Sequence, residues 1–179
     1  MRDKGPRVPS PTRGREQLLP TPGLAMTEIR FYHLQARNPE EALPAILEEA
    51  LEQDLKVVVE APASEFIEAL DERLWTYSDE SFLPHGMARD GEPETQPIYL
   101  TTGADNPNGA RLRILMGGAK AAPILELNPA AYERIVILFD GADEEARAAA
   151  RAQWSELKAA GFAPSYWRQG DTGAWEPGR

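Results

Sequence analysis

The chain has 179 residues, of which 29 are acidic and 19 basic, and it contains two histidines and no cysteine. This length suits a single domain with a sizeable core, and the absence of cysteine excludes disulfides, thiolate metal sites and cysteine nucleophiles, which fits a reducing cytoplasm. The net charge of −10 argues against binding nucleic acid through bulk electrostatics, and no apolar stretch approaches the ~20 residues of a membrane span.

Residues 1–25 differ in composition from the rest of the chain. They contain five prolines, five basic and two acidic residues and have no hydrophobic periodicity, which is typical of a disordered tail. Because Met26 follows directly, we interpret the segment as an extension from a start codon placed too early; a genuine basic arm is the alternative. Since five of the 19 basic and two of the 29 acidic residues lie in this segment, the remaining residues carry a net charge of −13.

After this segment the chain alternates between strand and helix patterns. Residues 29–34 are predicted to form a strand, and Asn38 then caps a helix. Pro44 interrupts the helical pattern, so this helix either begins later or bends there. A short β-branched strand is predicted at 55–59, followed by a second amphipathic helix that ends near Trp75.

The second half of the chain continues the alternation. The polar stretch 87–97 is predicted as a loop, and two short strands follow it at 98–102 and 113–116. The strongest strand pattern covers 134–139. The strongest helix pattern covers 143–160, with two glutamates in its first turn and a glycine just past its end.

This alternation predicts one α/β domain over residues 26–162, a Rossmann-like three-layer fold with a mostly parallel sheet flanked by helices. Residues 163–179 are predicted to form an irregular, aromatic C-terminal extension. A sheet of this kind suggests a nucleotide-dependent enzyme, so the chemistry that such an enzyme needs must be sought in the sequence.

Motifs for that chemistry are absent from the sequence. The first strand is not followed by a G-x-G-x-x-G turn, and the glycines at 117–120 precede a lysine without the spacing of a P-loop. There is no G-x-S-x-G elbow, and His33 and His85 belong to no ligand motif, so each is expected to be a structural histidine. The sequence therefore predicts no catalytic residues and no cofactor.

The last predicted helix carries a basic and aromatic stripe. Arg147, Arg151, Trp154 and Lys158 recur at i, i+4, i+7 and i+11, which places them on one helix face. A ring flanked by guanidinium groups suits a short acidic peptide with an apolar end group. The alternative is an ordinary solvated face whose arginines pair with neighbouring glutamates.

A second group of large apolar residues lies in segment 70–86. Trp75 and Phe82 stand on either side of a polar turn, where they could form two walls of one pocket. The alternative is that both rings fill the core where the helix ends, as most aromatic side chains do.

Two motifs resemble the chi subunit of bacterial DNA polymerase III. The first is Leu-Asp-Glu-Arg-Leu-Trp at 70–75, followed by Glu-Ser-Phe-Leu-Pro-His at 80–85. The second, at 150–162, is similar to the last helix of that family and the turn after it. The order of strands and helices also agrees, so the resemblance covers nearly all of the chain after its first 25 residues.

This resemblance implies a cytoplasmic, non-catalytic accessory subunit of the polymerase complex, with a Rossmann-like fold and no cofactor. Members of the family bind the acidic C-terminal tail of single-stranded-DNA-binding protein, which ends in phenylalanine with a free carboxylate. In many bacteria they also bind the psi subunit, which connects them to the clamp loader. The implied partners are these two proteins, with DNA contacted only indirectly and no membrane.

Carried over position by position, the family's tail pocket falls on Trp75, Phe82 and Arg151. Arg147 and Trp154 match less closely, because these positions often hold lysine and tyrosine in the family. The chain also departs from the family in its acidic balance, which argues against direct DNA contact. Two alternative functions remain at this point: a direct single-stranded-DNA-binding module that uses the last-helix stripe aided by the basic N-terminal segment, and a nucleotide-dependent enzyme.

Overall fold

The computed structural model describes residues 27–128 and 130–178, so the predictions for residues 1–25 lie outside the described residues. Within the described ranges the chain forms eight strands, four α-helices and two short 3₁₀ turns. The strands are β1 (Glu28–Leu34), β2 (Val57–Glu60), β3 (His85–Met87), β4 (Ile98–Thr101), β5 (Leu112–Leu115), β6 (Arg134–Asp140), β7 (Ser165–Gln169) and β8 (Trp175–Pro177). The helices are α1 (Pro39–Glu52), α2 (Ser64–Thr76), α3 (Ala121–Leu127) and α4 (Glu144–Ala159), and the 3₁₀ turns are Ala88–Asp90 and Pro93–Thr95.

All eight strands join one sheet in the order β3-β4-β2-β5-β6-β1-β7-β8. Every neighbouring pair is parallel except β7 and β8, which form an antiparallel hairpin. The central strands are aliphatic along most of their length because both of their faces are covered. The predicted α/β fold with a mostly parallel, helix-flanked sheet is confirmed.

The helices divide between the two faces of the sheet. After β1 and β2 the chain crosses towards β3, and these crossings contain α1 and α2. After β5 and β6 it crosses towards β8, and these crossings contain α3 and α4. Because parallel crossovers are right-handed, opposite directions of travel place helices on opposite faces. The two larger core clusters accordingly lie one on the α1/α2 face and one on the α3/α4 face.

Two of the predicted helix starts are confirmed by their caps. The Asn38 side chain accepts a hydrogen bond from the Glu41 amide at 2.9 Å, and α1 begins at the next residue. Pro44 therefore lies inside α1, and a later start for this helix is wrong. At α4, Asp143 accepts from two amides of the first turn, as a helix N-cap does.

Three features were not predicted from the sequence: β3, α3 and the β7–β8 hairpin. Residues 163–179 do not form an irregular extension, because β7 pairs with β1 and β8 pairs with β7. These strands are only partly buried, so they lack the apolar run that marks β6. β7 depends on backbone hydrogen bonds to β1 and β8 on those to β7, and the local sequence pattern does not reveal either pairing.

The buried Arg113 anchors the loop between β4 and β5. Its side chain is 0% exposed, and each of its five N–H donors has a partner. The guanidinium donates twice to Glu60, once each to the carbonyls of Gly103 and Asp105, and once to the Tyr132 hydroxyl. Full pairing is what allows a buried cation to be tolerated.

Candidate peptide-binding site

Trp75 and Phe82 lie on the surface of the protein. Their side chains are 56% and 66% exposed, and their ring centroids are 5.6 Å apart. The residues that fix this segment in the fold are Leu83 and His85, which are both buried. The alternative that both rings fill the core is therefore wrong.

The pair formed by these two rings, here called the Trp75–Phe82 surface, has a rigid support. The Trp75 ring lies 4.7 Å from the imidazole of His85. His85 Nδ1 is 2.6 Å from the Leu83 carbonyl, and Nε2 is 3.1 Å from Asp71, an ion-pair distance whose angle does not suit a hydrogen bond. Since Asp71 is one turn before Trp75 on α2, helix and turn are held together directly beneath the exposed rings.

A pocket of about 290 Å³ opens beside α4 on the α3/α4 face. Strands β1, β6 and β7 supply its floor, because alternate residues of a strand point to the same face. Helix α4 supplies its cationic wall. The lining combines five aromatic rings, two arginines and one alanine: Phe31, His33, Phe139, Tyr166, Trp154, Arg147, Arg151 and Ala150. We call it the aromatic–arginine pocket.

Trp154 is half-buried and forms part of the wall of this pocket. Its indole meets the Phe31 ring edge-on, with centroids 5.3 Å apart and an interplanar angle of 64°. The ammonium group of Lys158, one turn further along α4, lies 5.9 Å from the indole centroid. The predicted stripe along α4 is therefore present, with its tryptophan packed against β1.

The two arginines of the stripe differ in their pairing. Arg147 is half-buried and lies 3.7 Å from Glu144. Arg151 is exposed, and among the described residues no carboxylate lies within 4.0 Å of its guanidinium. The alternative in which neighbouring glutamates neutralise both arginines therefore fails for Arg151, whose five N–H donors are available for an anion.

His33 and Tyr166 also line the pocket, and the sequence did not identify either as a site residue. His33 Nδ1 forms a hydrogen bond with the Tyr166 hydroxyl, and the imidazole stacks on Phe139 with centroids 5.1 Å apart. A lone histidine matches no motif, so only its position could have pointed to the site. It lies near the carboxyl end of β1, on the same strand face as Phe31.

Burial and nearby charges shift the titration of this pair. Burial lowers the pKa of His33, the positive charges of Arg147 and Arg168 lower it further, and Asp140 opposes the shift. Burial raises the pKa of the Tyr166 phenol, with Arg168 opposing. In the free protein the pocket therefore favours a neutral imidazole and a protonated phenol.

The five residues predicted from the sequence do not form one pocket. Arg147, Arg151 and Trp154 come together, but Trp75 and Phe82 lie elsewhere, because α2 and α4 cover opposite faces of the sheet. Strands β3 and β1 are also five positions apart in the sheet order, which is roughly 24 Å at ~4.8 Å per strand.

A larger cavity of about 560 Å³ lies at the carboxyl ends of β5 and β6, where Rossmann-like folds bind nucleotides. Its ionisable lining residues are all acidic: Glu40, Asp140, Asp143 and Glu145. Carboxylates in this position repel phosphate groups. This cavity therefore weighs against the nucleotide-dependent enzyme that the fold class suggested.

The described residues contain neither a membrane-spanning helix nor a metal-binding cluster. The four α-helices have 14, 13, 7 and 16 residues, and none of them is long and apolar enough to cross a membrane. Within the same ranges, no three histidine, aspartate or glutamate side chains are grouped so that they could hold a metal ion.

The family model for the "DNA polymerase III chi subunit, HolC" matches residues 26–165. The chain belongs to the DNA polymerase III chi subunit family. The resemblance found in its two motifs is thereby confirmed. Membership makes the chain an accessory subunit of a DNA replication complex and not itself the catalyst.

Two curated chi proteins are similar to this chain. A "Probable DNA polymerase III subunit chi" from Rickettsia prowazekii is 31% identical over 117 residues, which are 64% of this chain and 71% of the relative. The "DNA polymerase III subunit chi" of Pseudomonas aeruginosa is 29% identical over 101 residues, which are 55% of this chain and 68% of the relative. The family match includes α2 and α4 but ends at Ser165, so Tyr166 and the rest of the β7–β8 hairpin lie beyond it.

Proposed function

We propose that this chi-family chain links single-stranded-DNA-binding protein to DNA polymerase III by holding the acidic C-terminal tail of that protein in the aromatic–arginine pocket. The observation that carries the proposal is the guanidinium of Arg151, which has no acidic partner among the described residues and lies beside a half-buried indole in a protein of net charge −10. An unpaired cation next to an apolar ring suits a ligand that is both anionic and aromatic.

The parts of the tail correspond to the parts of the pocket. The terminal phenylalanine ring occupies the aromatic walls formed by Trp154 and the strand residues beneath it. The terminal carboxylate accepts hydrogen bonds from Arg151, and Arg147 faces the acidic side chains that precede it. A short peptide with one buried ring and one charged clamp is expected to bind with micromolar affinity, roughly −8 kcal/mol.

The Trp75–Phe82 surface supports a separate role in the same adaptor. The resemblance assigns these two rings to the tail site, but their position on the opposite face supports a second partner, the psi subunit or another part of the clamp loader. Exposed apolar rings with charged residues beside them are typical of protein interfaces, and the Arg89 guanidinium lies 3.7 Å from Asp71, whose carboxylate approaches the His85 ring beside Trp75. DNA is then reached only through the bound protein.

The proposal is tested by calorimetric titration with an aspartate-rich peptide that ends in phenylalanine. We expect micromolar binding, and at least tenfold weaker binding when the phenylalanine is removed or the terminal carboxylate is amidated. Equal affinity for the three peptides, or no binding of the first, would contradict the assignment.

A gel-shift experiment separates this function from direct DNA binding. Bare single-stranded DNA should not be shifted by the chain alone, because the protein is acidic and phosphate contacts require a basic surface. DNA coated with its binding protein should be shifted further when the chain is added. A shift of bare DNA at physiological salt would support the direct binding module instead.

A further inference from the structure

The aromatic–arginine pocket contains a partly buried hydrogen-bonded pair that the stripe on α4 does not account for. His33 and Tyr166 lie on the neighbouring strands β1 and β7, and the imidazole Nδ1 contacts the phenol hydroxyl. The Phe139 ring covers one face of the imidazole, and Tyr166 meets it edge-on with centroids 5.7 Å apart. The imidazole is therefore fixed in one orientation.

Gly141 makes room for the other edge of the imidazole. A Cβ atom built on this glycine would overlap His33 Nε2 and would lie 2.6 Å from the Leu34 carbonyl oxygen. No other residue type fits here without displacing the ring. The Tyr166 hydroxyl is thus the polar partner of the ring at Nδ1, and the state of that one hydrogen bond determines what the pair can offer a ligand.

The direction of this hydrogen bond depends on the charge of His33. A neutral ring whose Nδ1 carries no proton accepts a hydrogen bond from the Tyr166 hydroxyl, so the phenol cannot donate that proton to a ligand. A protonated ring donates from Nδ1 to the phenol oxygen. The Tyr166 hydroxyl then turns its own proton towards the pocket.

The charges around His33 favour the neutral ring while the pocket is empty. Burial disfavours a positive charge on the ring, Arg147 on α4 and Arg168 on β7 act in the same direction, and Asp140 on β6 opposes these effects. A carboxylate that enters the pocket adds negative charge beside Arg147 and Arg151, the two arginines that line it. Because an opposite charge nearby favours the ionised form of a group, the ligand itself promotes protonation of the ring.

We propose that His33 takes up one proton from solvent when an anionic peptide enters the aromatic–arginine pocket, and that the Tyr166 hydroxyl then donates to a carboxylate of the peptide. The His33–Tyr166 pair thereby determines specificity. It increases the affinity for ligands that carry a carboxylate, and this increase is larger in mildly acidic solution. This proposal rests on the proposed peptide-binding function of the pocket and adds two residues to it.

The test is a calorimetric titration with the aspartate-rich, phenylalanine-terminated peptide at pH 8.0 and 5.5, in buffers of different ionisation enthalpy. The peptide carboxylates stay ionised throughout, since their pKa is about 4. We expect the affinity of the wild-type chain to rise roughly threefold to tenfold on acidification, because a pKa rise of one unit upon binding corresponds to a factor of ten. Up to one proton should be taken up for each peptide bound.

Two variants assign this effect to the pair. His33→Gln should reduce the ratio of the two affinities to nearly one and abolish proton uptake. Tyr166→Phe keeps the ring but removes the hydroxyl, so it should weaken binding more at pH 5.5 than at pH 8.0. Circular dichroism at both pH values establishes whether each variant is folded. If His33→Gln does not fold, Tyr166→Phe provides the decisive comparison.

The outcomes separate this proposal from the proposed function. If the wild-type chain binds the peptide and Arg151→Ala weakens that binding, but His33→Gln keeps the full pH ratio, the proposed role of the His33–Tyr166 pair is refuted and the proposed peptide-binding function is not. Wild-type binding without proton uptake would also refute the role of the His33–Tyr166 pair. If the wild-type chain does not bind the peptide at either pH, both proposals fail.

Discussion

The indole of Trp154 on α4 meets the ring of Phe31 on β1 edge-on, with centroids 5.3 Å apart. This contact fastens the helix that carries the arginine stripe to the strand that carries His33. A ring that is fixed before the ligand arrives loses little rotamer freedom on binding. The aromatic wall of the pocket is therefore already in place in the free protein.

Replacing Trp154 should affect both peptide binding and folding. We expect Trp154→Ala to lower the free energy of unfolding by about 1–3 kcal/mol, because it exposes Phe31 and removes a half-buried ring. The same change should lower the affinity for the phenylalanine-terminated peptide at least tenfold. Urea unfolding and peptide titration measure the two effects, and Trp154→Tyr, which keeps a ring, should retain most of both.

Arg151 is the candidate clamp for the terminal carboxylate. Arg151→Ala should weaken peptide binding by about 1.5–3 kcal/mol, the cost of losing a hydrogen bond to a charged group. Arg111→Ala is a matched control, because Arg111 is also exposed and pairs with Glu133 away from the pocket. Raising the salt concentration should weaken the wild-type interaction, since the peptide is acidic. Equal affinities for the two variants would remove Arg151 from the site.

Trp75 and Phe82 should be dispensable for both stability and tail binding. Phe82→Ala is expected to change the free energy of unfolding by less than about 0.5 kcal/mol, because the ring is exposed. Capture of the purified psi subunit or clamp loader should be lost in Trp75→Ala and Phe82→Ala, while peptide titrations remain at the wild-type value. A loss of peptide affinity in these variants would instead show that Trp75 and Phe82 belong to the tail-binding site.

The elements that could be predicted from the sequence are those with a strong local signal. The apolar run of β6 and the capped, periodic pattern of α4 define those elements without help from the rest of the chain. β3 has only three residues, and β7 is half-buried at the side of the sheet, so both depend on pairing with distant strands.

The division of the site residues between two faces could not be predicted in the same way. The motif containing Trp75 and the stripe containing Arg151 each signal a surface, and both surfaces are present. Whether they meet depends on the strand order, which sets the direction of each crossover and hence the face that its helix covers. That order results from long-range pairing. His33 was missed for a related reason, since its partner Tyr166 is 133 residues away.

The lowered pKa of His33 predicts a pH dependence of folding. The unfolded chain has the ordinary histidine pKa of about 6.5, so below that pH it binds the proton more readily than the folded chain does. The stability associated with a neutral His33 is full above about pH 6.5 and is lost as the pH falls through the folded-state pKa. Melting temperatures at pH 7.5 and 5.0 should therefore differ more for the wild-type chain than for His33→Gln. A larger difference for His33→Gln than for the wild-type chain would show that the folded protein favours a protonated His33.

The Arg113–Glu60 pair should dominate the stability of the loop between β4 and β5. Arg113→Met leaves the largely buried Glu60 carboxylate without its cation, so we expect a loss of about 3–5 kcal/mol in urea unfolding. Adding Glu60→Gln to this variant should recover part of that loss, because the orphaned charge is then removed. A double variant no more stable than the single one would contradict this explanation.

The placement of the two surfaces on opposite faces of the sheet determines how a chain of this kind can act. Two ligands on opposite faces cannot contact each other, so both can be bound at the same time. Their joint binding requires no allosteric change between the two surfaces. Under the proposed function the chain works by proximity alone: a partner held on one face experiences the ligand of the other face at an effective concentration that reaches millimolar for a short tether. At that concentration a contact of only micromolar affinity is nearly always occupied, yet it can still break and re-form as the machinery moves.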